Sequence, residues 1–181
     1  MGHIMALRGT DCAPLVRVPW NGQGVIKPIL DLAPAGVIIP MINSADEAEA
    51  AVAACRYPTR GKRSCSPRRG WRYGADNLFD YLKISQNDPM VIVQIEHIDA
   101  VKNLDAILRV PGIDSICIGP YDLSGSMGIM HQMDNAELNR ILEEICVKTL
   151  KAGVLLGMAP TSYFPWEKHG VNWVAMTSDW G

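Results

Sequence analysis

The stretch Val91-Ile-Val-Gln-Ile-Glu96 is a short run of mainly β-branched residues that ends in a carboxylate. A second apolar run ends in Ile118-Gly-Pro-Tyr-Asp-Leu-Ser124, and its Asp122 lies 26 positions after Glu96. Nearly continuous apolar runs are typical of strands buried on both faces of a parallel sheet. In α/β barrels the carboxyl ends of such strands carry the chemistry. Two carboxylates at neighbouring strand ends therefore predict an oxygen-rich site for a hard divalent cation such as Mg²⁺ or Mn²⁺.

Six strand-like runs alternate with helix-like segments along the chain, and no hairpin signal joins two strands. This alternation predicts βα units and a parallel sheet, which right-handed crossovers curl toward a barrel or a doubly wound sheet. The predicted strands are 14–18, 36–39, 90–96, 113–118, 154–158 and 171–176, and the predicted helices are 24–32, 44–55, 77–84, 98–108, 137–151 and 162–169.

Some local signals make these predictions more specific. Ser44-Ala-Asp-Glu47 is a capping box that starts a helix, and Gly153 suits the left-handed residue that ends one. If 24–32 is helical, Pro28 is expected near the helix start. Gly119-Pro120 predicts a sharp turn that leads into a loop as far as His131, and residues 56–75 read as a long loop. The first five residues are given no structural role.

Length and composition indicate one globular domain over residues 1–181. The chain has 48% hydrophobic and 20% charged residues, which is ordinary for a folded protein. Its 181 residues fall short of the roughly 250 of a complete eight-unit barrel. A net charge of −2 without a basic stripe argues against a nucleic-acid partner.

The location expected from the sequence is the cytoplasm. No apolar run reaches the roughly 20 residues of a membrane span, and no signal peptide is recognisable. The five cysteines show no paired spacing, which favours a reducing compartment.

Other polar residues near the predicted strand ends are candidates for substrate contacts. Gln94 shares a strand face with Glu96 and can donate to a substrate oxygen, although a satisfied core amide is an equal alternative. Arg17 ends another strand and can neutralise a carboxylate or an enolate oxygen. The alternative for Arg17 is a structural salt bridge with Glu96 or Asp122.

Backbone and basic groups complete the set of candidates. The turn at Tyr121 exposes backbone N–H groups that can hold a carboxylate. The interior histidines lack metal-ligand spacing and are interpreted as surface or loop residues; they are His97, His131 and His169. Lys27 and Lys83 are not at strand ends, so a Schiff-base mechanism is set aside.

The ordered motifs resemble those of the HpcH/HpaI family, the divalent-metal-dependent (class II) pyruvate aldolases. The resemblance extends over nearly the whole chain and rests on Leu15-Val-Arg-Val-Pro-Trp-Asn21, Gly36-Val-Ile-Ile-Pro-Met41, Arg56-Tyr-Pro58 with Gly61 and Arg63, Val93-Gln-Ile-Glu96 and Ile118-Gly-Pro-Tyr-Asp-Leu-Ser124. It implies a TIM-type (β/α)8 barrel of the phosphoenolpyruvate/pyruvate kind, represented here by strands three to eight. It also implies a homo-oligomer, commonly a hexamer.

The resemblance assigns a role to each matching position. It implies that Glu96 and Asp122 bind the metal (Mg²⁺, Mn²⁺ or Co²⁺) and that Arg17 stabilises the enolate. Gln94, with the backbone around Tyr121 and Asp122, would hold pyruvate, which then reacts with an aldehyde. Asp31 falls where the family places the carboxylate that raises the basicity of its catalytic histidine.

The resemblance also has a gap. The family's base histidine is expected about 25 residues before Arg17, and His3 matches neither that spacing nor its context. Two alternatives to a pyruvate aldolase therefore stay open. One is a non-catalytic barrel fragment that binds a metal–oxo-acid complex or associates with a paralogue. The other is a lyase of the citrate-lyase-like or malyl-CoA type.

Overall fold

The computed structural model describes residues 2–7, 9–159 and 161–175, and it contains one parallel six-stranded sheet. The strands lie in sequence order, each hydrogen-bonded to the next, and the sheet forms a curled, open half-barrel. They are β1 (Leu15–Arg17), β2 (Gly36–Ile39), β3 (Met90–Ile95), β4 (Ser115–Ile118), β5 (Leu155–Met158) and β6 (Trp173–Val174). The predicted parallel α/β sheet is confirmed. The predicted sixth strand is shorter in the structure, and Met176 lies outside the described residues.

Helices connect successive strands and cover the outer face of the sheet. They are α1 (Gly2–Ala6), α2 (Gln23–Leu30), α3 (Ala45–Cys55), α4 (Leu78–Ile84), α5 (Ile98–Lys102), α6 (Leu104–Ile107), α7 (Pro120–Ser126) and α8 (Ala136–Lys151), with 3₁₀ turns at Arg72–Gly74 and Trp166–His169. Within the described ranges, none of these helices has the length and apolar character needed to cross a membrane.

The two faces of the sheet differ, as the alternation of side chains along a strand requires. Alternate residues of the central strands point outward and pack with the helices in one buried core, among them Val91, Val93, Ile95, Ile116 and Ile118. The residues between them point to the inner face, where register aligns Gln94 with Cys117, Cys117 with Gly157 and Gly157 with Trp173. The inner face therefore carries Gln94, and Glu96 follows it on the same side two residues later.

The helix-boundary signals in the sequence are confirmed. Ser44 Oγ accepts a hydrogen bond from the Glu47 N–H at 3.2 Å, and Glu47 Oε2 accepts one from the Asn43 N–H at 2.6 Å. These contacts satisfy N–H groups that a helix start leaves without partners. Gly153 follows α8 with a φ of 73°, the left-handed conformation that glycine adopts without strain.

Two predictions about prolines are wrong. Pro28 lies inside α2 rather than near its start. The helix tolerates the loss of one backbone hydrogen bond because Ile26 and Leu30 are buried on either side of this proline. The segment after Gly119 is not entirely loop, since Pro120 opens helix α7. Proline is favoured at the first helical position, and this was the signal for α7.

Two other helix predictions need correction. Residues 98–108 form two short helices, α5 and α6, because Asn103 between them has a ψ of 4° and ends the first. The first residues of the chain, given no structural role above, include the short helix α1, whose Ile4 is buried.

Trp173 fixes the short strand β6 to the inner face. Its indole lies across β5 at Gly157, where a Cβ atom would come within 2.0 Å of Trp173 Cε2. The indole then reaches β4, and its Nε1 donates to Ser115 Oγ at 3.0 Å. The absence of a side chain at position 157 is thus what lets a large side chain of β6 fill this part of the half-barrel.

We predict that Gly157→Val displaces the indole of Trp173 and loosens β6. The expected decrease in the free energy of unfolding is about 1–3 kcal/mol, the scale of overpacking in a close-packed region. Urea denaturation followed by tryptophan fluorescence measures it. Leu155→Val is the matched control, since Leu155 precedes Gly157 on the same face and is 45% exposed. Equal stability of both variants would show that the packing of Trp173 on Gly157 contributes nothing.

Candidate active site

Glu96 lies immediately after β3, at the carboxyl end of the sheet, and is only 1% exposed. Its Oε1 accepts a hydrogen bond from the Met41 N–H at 2.9 Å, and Arg17 Nη2 lies 3.9 Å from the same oxygen. The backbone after β2 and the side chain at the end of β1 therefore both face this carboxylate. Its other oxygen, Oε2, is buried and has no hydrogen-bond partner among the described residues.

Arg17 is held over the site by Gln94. The Arg17 Nε donates to Gln94 Oε1 at 2.9 Å, which places the guanidinium across β2 toward β3. Gln94 is 9% exposed, whereas the Arg17 side chain is 51% exposed. The amide oxygen of Gln94 is thus already used to orient Arg17, and the guanidinium keeps an open side for a ligand.

Asp122 lies in the first turn of α7, which begins at Pro120 directly after the end of β4. It is exposed, and so is about half of the Tyr121 side chain. The N–H groups of Tyr121 and Asp122 belong to a first helical turn, where backbone donors have no partner within the helix. This short turn therefore presents one carboxylate and two backbone donors at the same end of the sheet as Glu96.

Gly119 lets the side chains of Gln94 and Glu96 lie against the backbone that follows β4. A Cβ atom there would lie 2.8 Å from Gln94 Nε2 and 2.9 Å from Glu96 Oε2, closer than real Cβ atoms come to such neighbours. The requirement for glycine was not recognised from the sequence. The available signal was a glycine between a strand and a helix-initiating proline.

Burial dominates the electrostatics of Glu96. Desolvation raises the pKa of this carboxyl, whereas the Met41 N–H and the charge of Arg17 lower it. The charge of Asp122 and the close approach of its side chain to Glu96 raise the pKa again. Cys117, one strand away on the inner face, is also buried, and desolvation raises the pKa of its thiol to about 12. Cys117 is therefore a neutral neighbour of the site.

The residues present fit a divalent cation. Glu96 and Asp122 offer hard carboxylate oxygens, and the buried, unpartnered Oε2 of Glu96 is the kind of atom that a cation satisfies. Over the described part of the chain, no group of three or more His, Cys, Asp or Glu residues is arranged to hold a metal. The pair would therefore hold a cation only together with substrate oxygens and water, as is common for Mg²⁺.

Asp31 is not brought together with these residues. It follows α2, whose end leads back to the amino end of β2, and it accepts from Lys27 Nζ at 2.6 Å and from Arg63 Nη2 at 3.0 Å. Asp31 is therefore at the opposite end of the sheet, in an ion-pair cluster that the sequence did not indicate. Its catalytic role stays a prediction, and it requires a contact that the described residues do not make.

The other basic candidates are engaged elsewhere. His97 Nδ1 accepts from the Asp99 N–H at 3.1 Å and caps α5, while His169 stacks on Phe164 with ring centroids 4.6 Å apart. Lys83 is exposed and lies 3.8 Å from Asp80. These contacts agree with the interpretation of His97 and His169 as residues outside the site.

We predict that Glu96→Gln stabilises the metal-free chain at neutral pH. Because folding raises the pKa of Glu96, the folded state binds its proton more tightly, so stability from this group is present below the usual glutamate pKa and is lost as pH rises through the folded value. In Glu96→Gln the side chain is a neutral amide at every pH, so this loss of stability does not occur. The free energy of unfolding should rise by about 1 kcal/mol at pH 7, and the difference should shrink toward pH 4.

Urea titrations in the presence of EDTA at pH 4, 5, 6 and 7 measure this difference. Asp99→Asn, at an exposed carboxylate whose pKa is lowered mainly by its hydrogen bond with Lys102, is the matched control and should show the opposite pH trend. A destabilised Glu96→Gln chain at pH 7 would contradict the burial of an incompletely compensated charge.

Comparison with known proteins indicates the same family as the sequence motifs. The sequence profile of the HpcH/HpaI aldolase/citrate lyase family matches residues 1–177. The chain is 32% identical over 159 residues to a hydroxypyruvate/pyruvate aldolase of Roseobacter denitrificans, covering 88% of this chain and 62% of that protein. It is 35% identical over 186 residues to a 5-keto-4-deoxy-D-glucarate aldolase of Escherichia coli, covering 99% of this chain and 71% of the relative.

A solved structure agrees with the fold. The HpcH/HpaI aldolase from Desulfitobacterium hafniense superposes with a TM-score of 0.84 at 25% identity, over 94% of this chain and 68% of that one. The chain thus spans from 62% to 71% of the length of these proteins. The profile match over nearly all of the sequence shows that the chain belongs to the HpcH/HpaI aldolase/citrate lyase family.

Proposed function

We propose that this chain provides the metal- and oxo-acid-binding part of a divalent-metal-dependent aldolase that cleaves or forms 4-hydroxy-2-oxo acids through a pyruvate enolate. One observation carries the proposal. The buried Glu96 carboxylate has an unpartnered oxygen next to Asp122, and Arg17 faces the same group from β1. This combination suits a cation and an anionic substrate bound side by side.

The chemistry divides among a few groups. A divalent cation held by Glu96 and Asp122 would supply Lewis-acid polarisation of the substrate's keto group. Arg17, oriented by its hydrogen bond to Gln94, is placed to offset the negative charge that develops on the keto oxygen. The first-turn N–H groups of Tyr121 and Asp122 are suited to the substrate carboxylate, with Gln94 Nε2 as a further donor.

The reaction consists of two proton transfers and the formation of one carbon–carbon bond. A base takes a proton from the pyruvate methyl group, and the electron pair of that C–H bond forms the enolate. The enolate carbon then adds to the carbonyl carbon of an aldehyde, whose oxygen takes up a proton. Cleavage follows these steps in reverse. The contacts of His97 and His169 do not place either of them at the substrate, so the identity of the base is not part of the proposal.

Two alternatives have specific discriminators. A non-catalytic chain would bind the cation and the oxo acid without exchanging the methyl protons, and joining it to the upstream part of an aldolase relative would create turnover. A citrate-lyase-like or malyl-CoA-type lyase would need a coenzyme A site. The two relatives compared above at 30% identity or more are both named as aldolases, which favours the first proposal.

The identity of the cation, the oligomeric state and the cellular location are part of the same proposal. We infer that Mg²⁺, Mn²⁺ or Co²⁺ serves as the cation, because the ligands are carboxylates and the site leaves positions for water. A homo-oligomer is proposed because the resemblance to the HpcH/HpaI family implies one. A cytoplasmic location is proposed because all five cysteines are free thiols.

We predict that the chain binds pyruvate only when a divalent cation is present. Pyruvate binding is measured by ligand-observed NMR with Mg²⁺, with Mn²⁺ and with EDTA, and loss of the methyl signal in heavy water reports enolisation. Glu96→Gln and Asp122→Asn should each weaken cation binding by at least about tenfold and remove the pyruvate signal. Asp99→Asn removes an exposed carboxylate outside the site and should bind as the native chain does.

The outcomes separate the alternatives. Cation-dependent binding with exchange means that enolisation takes place in this chain. Cation-dependent binding without exchange means that the binding groups are intact and the base is absent. Pyruvate binding that ignores both EDTA and Glu96→Gln would sink the proposal.

A further inference from the structure

The short helix α7 carries more than the Asp122 carboxylate. Asp122 and Ser126 are four residues apart and therefore lie on one face of the helix. Ser126 Oγ accepts a hydrogen bond from the Ile98 N–H at 2.9 Å, so this face is directed toward the segment that follows Glu96. The charge and the side chain of Asp122 accordingly act on Glu96. One face of α7 thus belongs to the carboxylate site.

The neighbouring face of α7 is apolar and exposed. Tyr121 and Gly125 share it, since they are also four residues apart. Met130 from the following loop lies over Gly125, where a Cβ atom would be 3.7 Å from Met130 Sδ and 3.8 Å from its Cγ. Tyr121 is 51% exposed and Met130 is 54% exposed. A ring and a thioether are therefore presented to solvent about one helical turn apart.

The position of Tyr121 in the helix directs its ring toward the carboxylate site. Tyr121 precedes Asp122 in the first turn of α7. Helical side chains lean toward the amino end of their helix, and in α7 that end follows β4 at the carboxyl edge of the sheet. The ring is therefore expected to lie over the same edge as Glu96 and Asp122, where it can contact a ligand that these carboxylates hold.

The charges near this face argue against a second anionic group. Residues 119–135, which comprise α7 and the loop after it, include His131 but no lysine or arginine, and they include the acidic Asp122 and Asp134. Residues 159–167, which follow the neighbouring strand β5, contain no lysine or arginine either. Arg17 reaches Gln94 from β1, on the far side of β3 from α7. A carboxylate packed on this face would lose hydration without gaining a fixed cation.

We propose that Tyr121 and Met130 form the acceptor subsite of the candidate active site, and that the aldehyde taken up or released carries an apolar or aromatic body. This inference rests on the proposed aldolase function. The oxo-acid head lies with the cation at Glu96 and Asp122, and the substituent at C4 of the 4-hydroxy-2-oxo acid packs on the ring and the thioether. Tyr121 is then a specificity-determining residue, because its side chain contacts the part of the substrate that does not react.

The probes are 2-oxo acids that share one head and differ in their bodies. 4-Phenyl-2-oxobutanoate has an aromatic body, 2-oxoglutarate has a second carboxylate, and pyruvate has neither. Calorimetry measures the affinity of the full chain for each acid in Mg²⁺ and again in EDTA. In Mg²⁺ the phenyl compound should bind about fivefold more tightly than pyruvate, the scale of one aromatic contact. 2-Oxoglutarate should bind no more tightly than pyruvate.

Substitutions on this face test whether it supplies the difference. Tyr121→Ala should reduce the ratio of phenyl-compound affinity to pyruvate affinity by about fivefold, and Met130→Ala should reduce it by about threefold. Tyr121→Phe keeps the ring and should keep the ratio. Phe79→Ala is the matched control and should leave the ratio unchanged. Phe79 is 74% exposed and is the second residue of α4, as Tyr121 is of α7, but α4 leads to the amino end of β3.

The outcomes separate this inference from the proposed function. A ratio that Tyr121→Ala leaves unchanged, or 2-oxoglutarate binding more tightly than the phenyl compound, would overturn the acceptor subsite, while cation-dependent pyruvate binding would still support the aldolase. Equally tight binding of the phenyl compound in EDTA would place its ring outside the carboxylate site and overturn the subsite as well. No cation-dependent binding of any of the acids would reject the aldolase proposal and the subsite with it.

Discussion

The burial of the Glu96 carboxylate is the constraint on which the candidate site depends. A carboxylate that is 1% exposed needs compensation, because taking a charge out of water is costly. The Met41 N–H and Arg17 compensate one oxygen, and the second has no partner in the described chain. Each compensating group comes from a different strand end, so the parallel register of β1, β2 and β3 is what assembles them.

The same register keeps two charged clusters apart. Strands of three to six residues separate Glu96 and Asp122 at the carboxyl ends from Asp31, Lys27 and Arg63 at the amino ends. One cluster has an excess of negative charge and attracts a cation, whereas the other has an excess of positive charge. A single ligand cannot serve both. The polarity of a parallel sheet thus gives this small chain two chemically distinct ends.

Much of this arrangement is local in origin and could be predicted. Glu96 and Asp122 follow apolar strand runs, and the capping box that starts α3 consists of four consecutive residues that begin at Ser44. What could not be predicted depends on distant pairs. The ion pair between Asp31 and Arg63 spans 32 positions, and no local pattern marks either member. The placement of Pro28 inside α2 likewise follows from tertiary burial of Ile26 and Leu30, which overrides the usual position of proline.

In the proposed function, substrate binding and proton removal are separable requirements, and the contacts of the described residues concern the first. Arg17, Gln94 and Glu96 are linked by contacts of the described structure, and Gly119 gives them room. His97 instead caps a helix, and His169 stacks on Phe164. Neither arrangement leaves an imidazole facing the carboxylates. Among the described residues, the contacts that assemble the carboxylates, Arg17 and Gly119 involve neither His97 nor His169, so the proposed binding of an oxo acid does not depend on these two imidazoles.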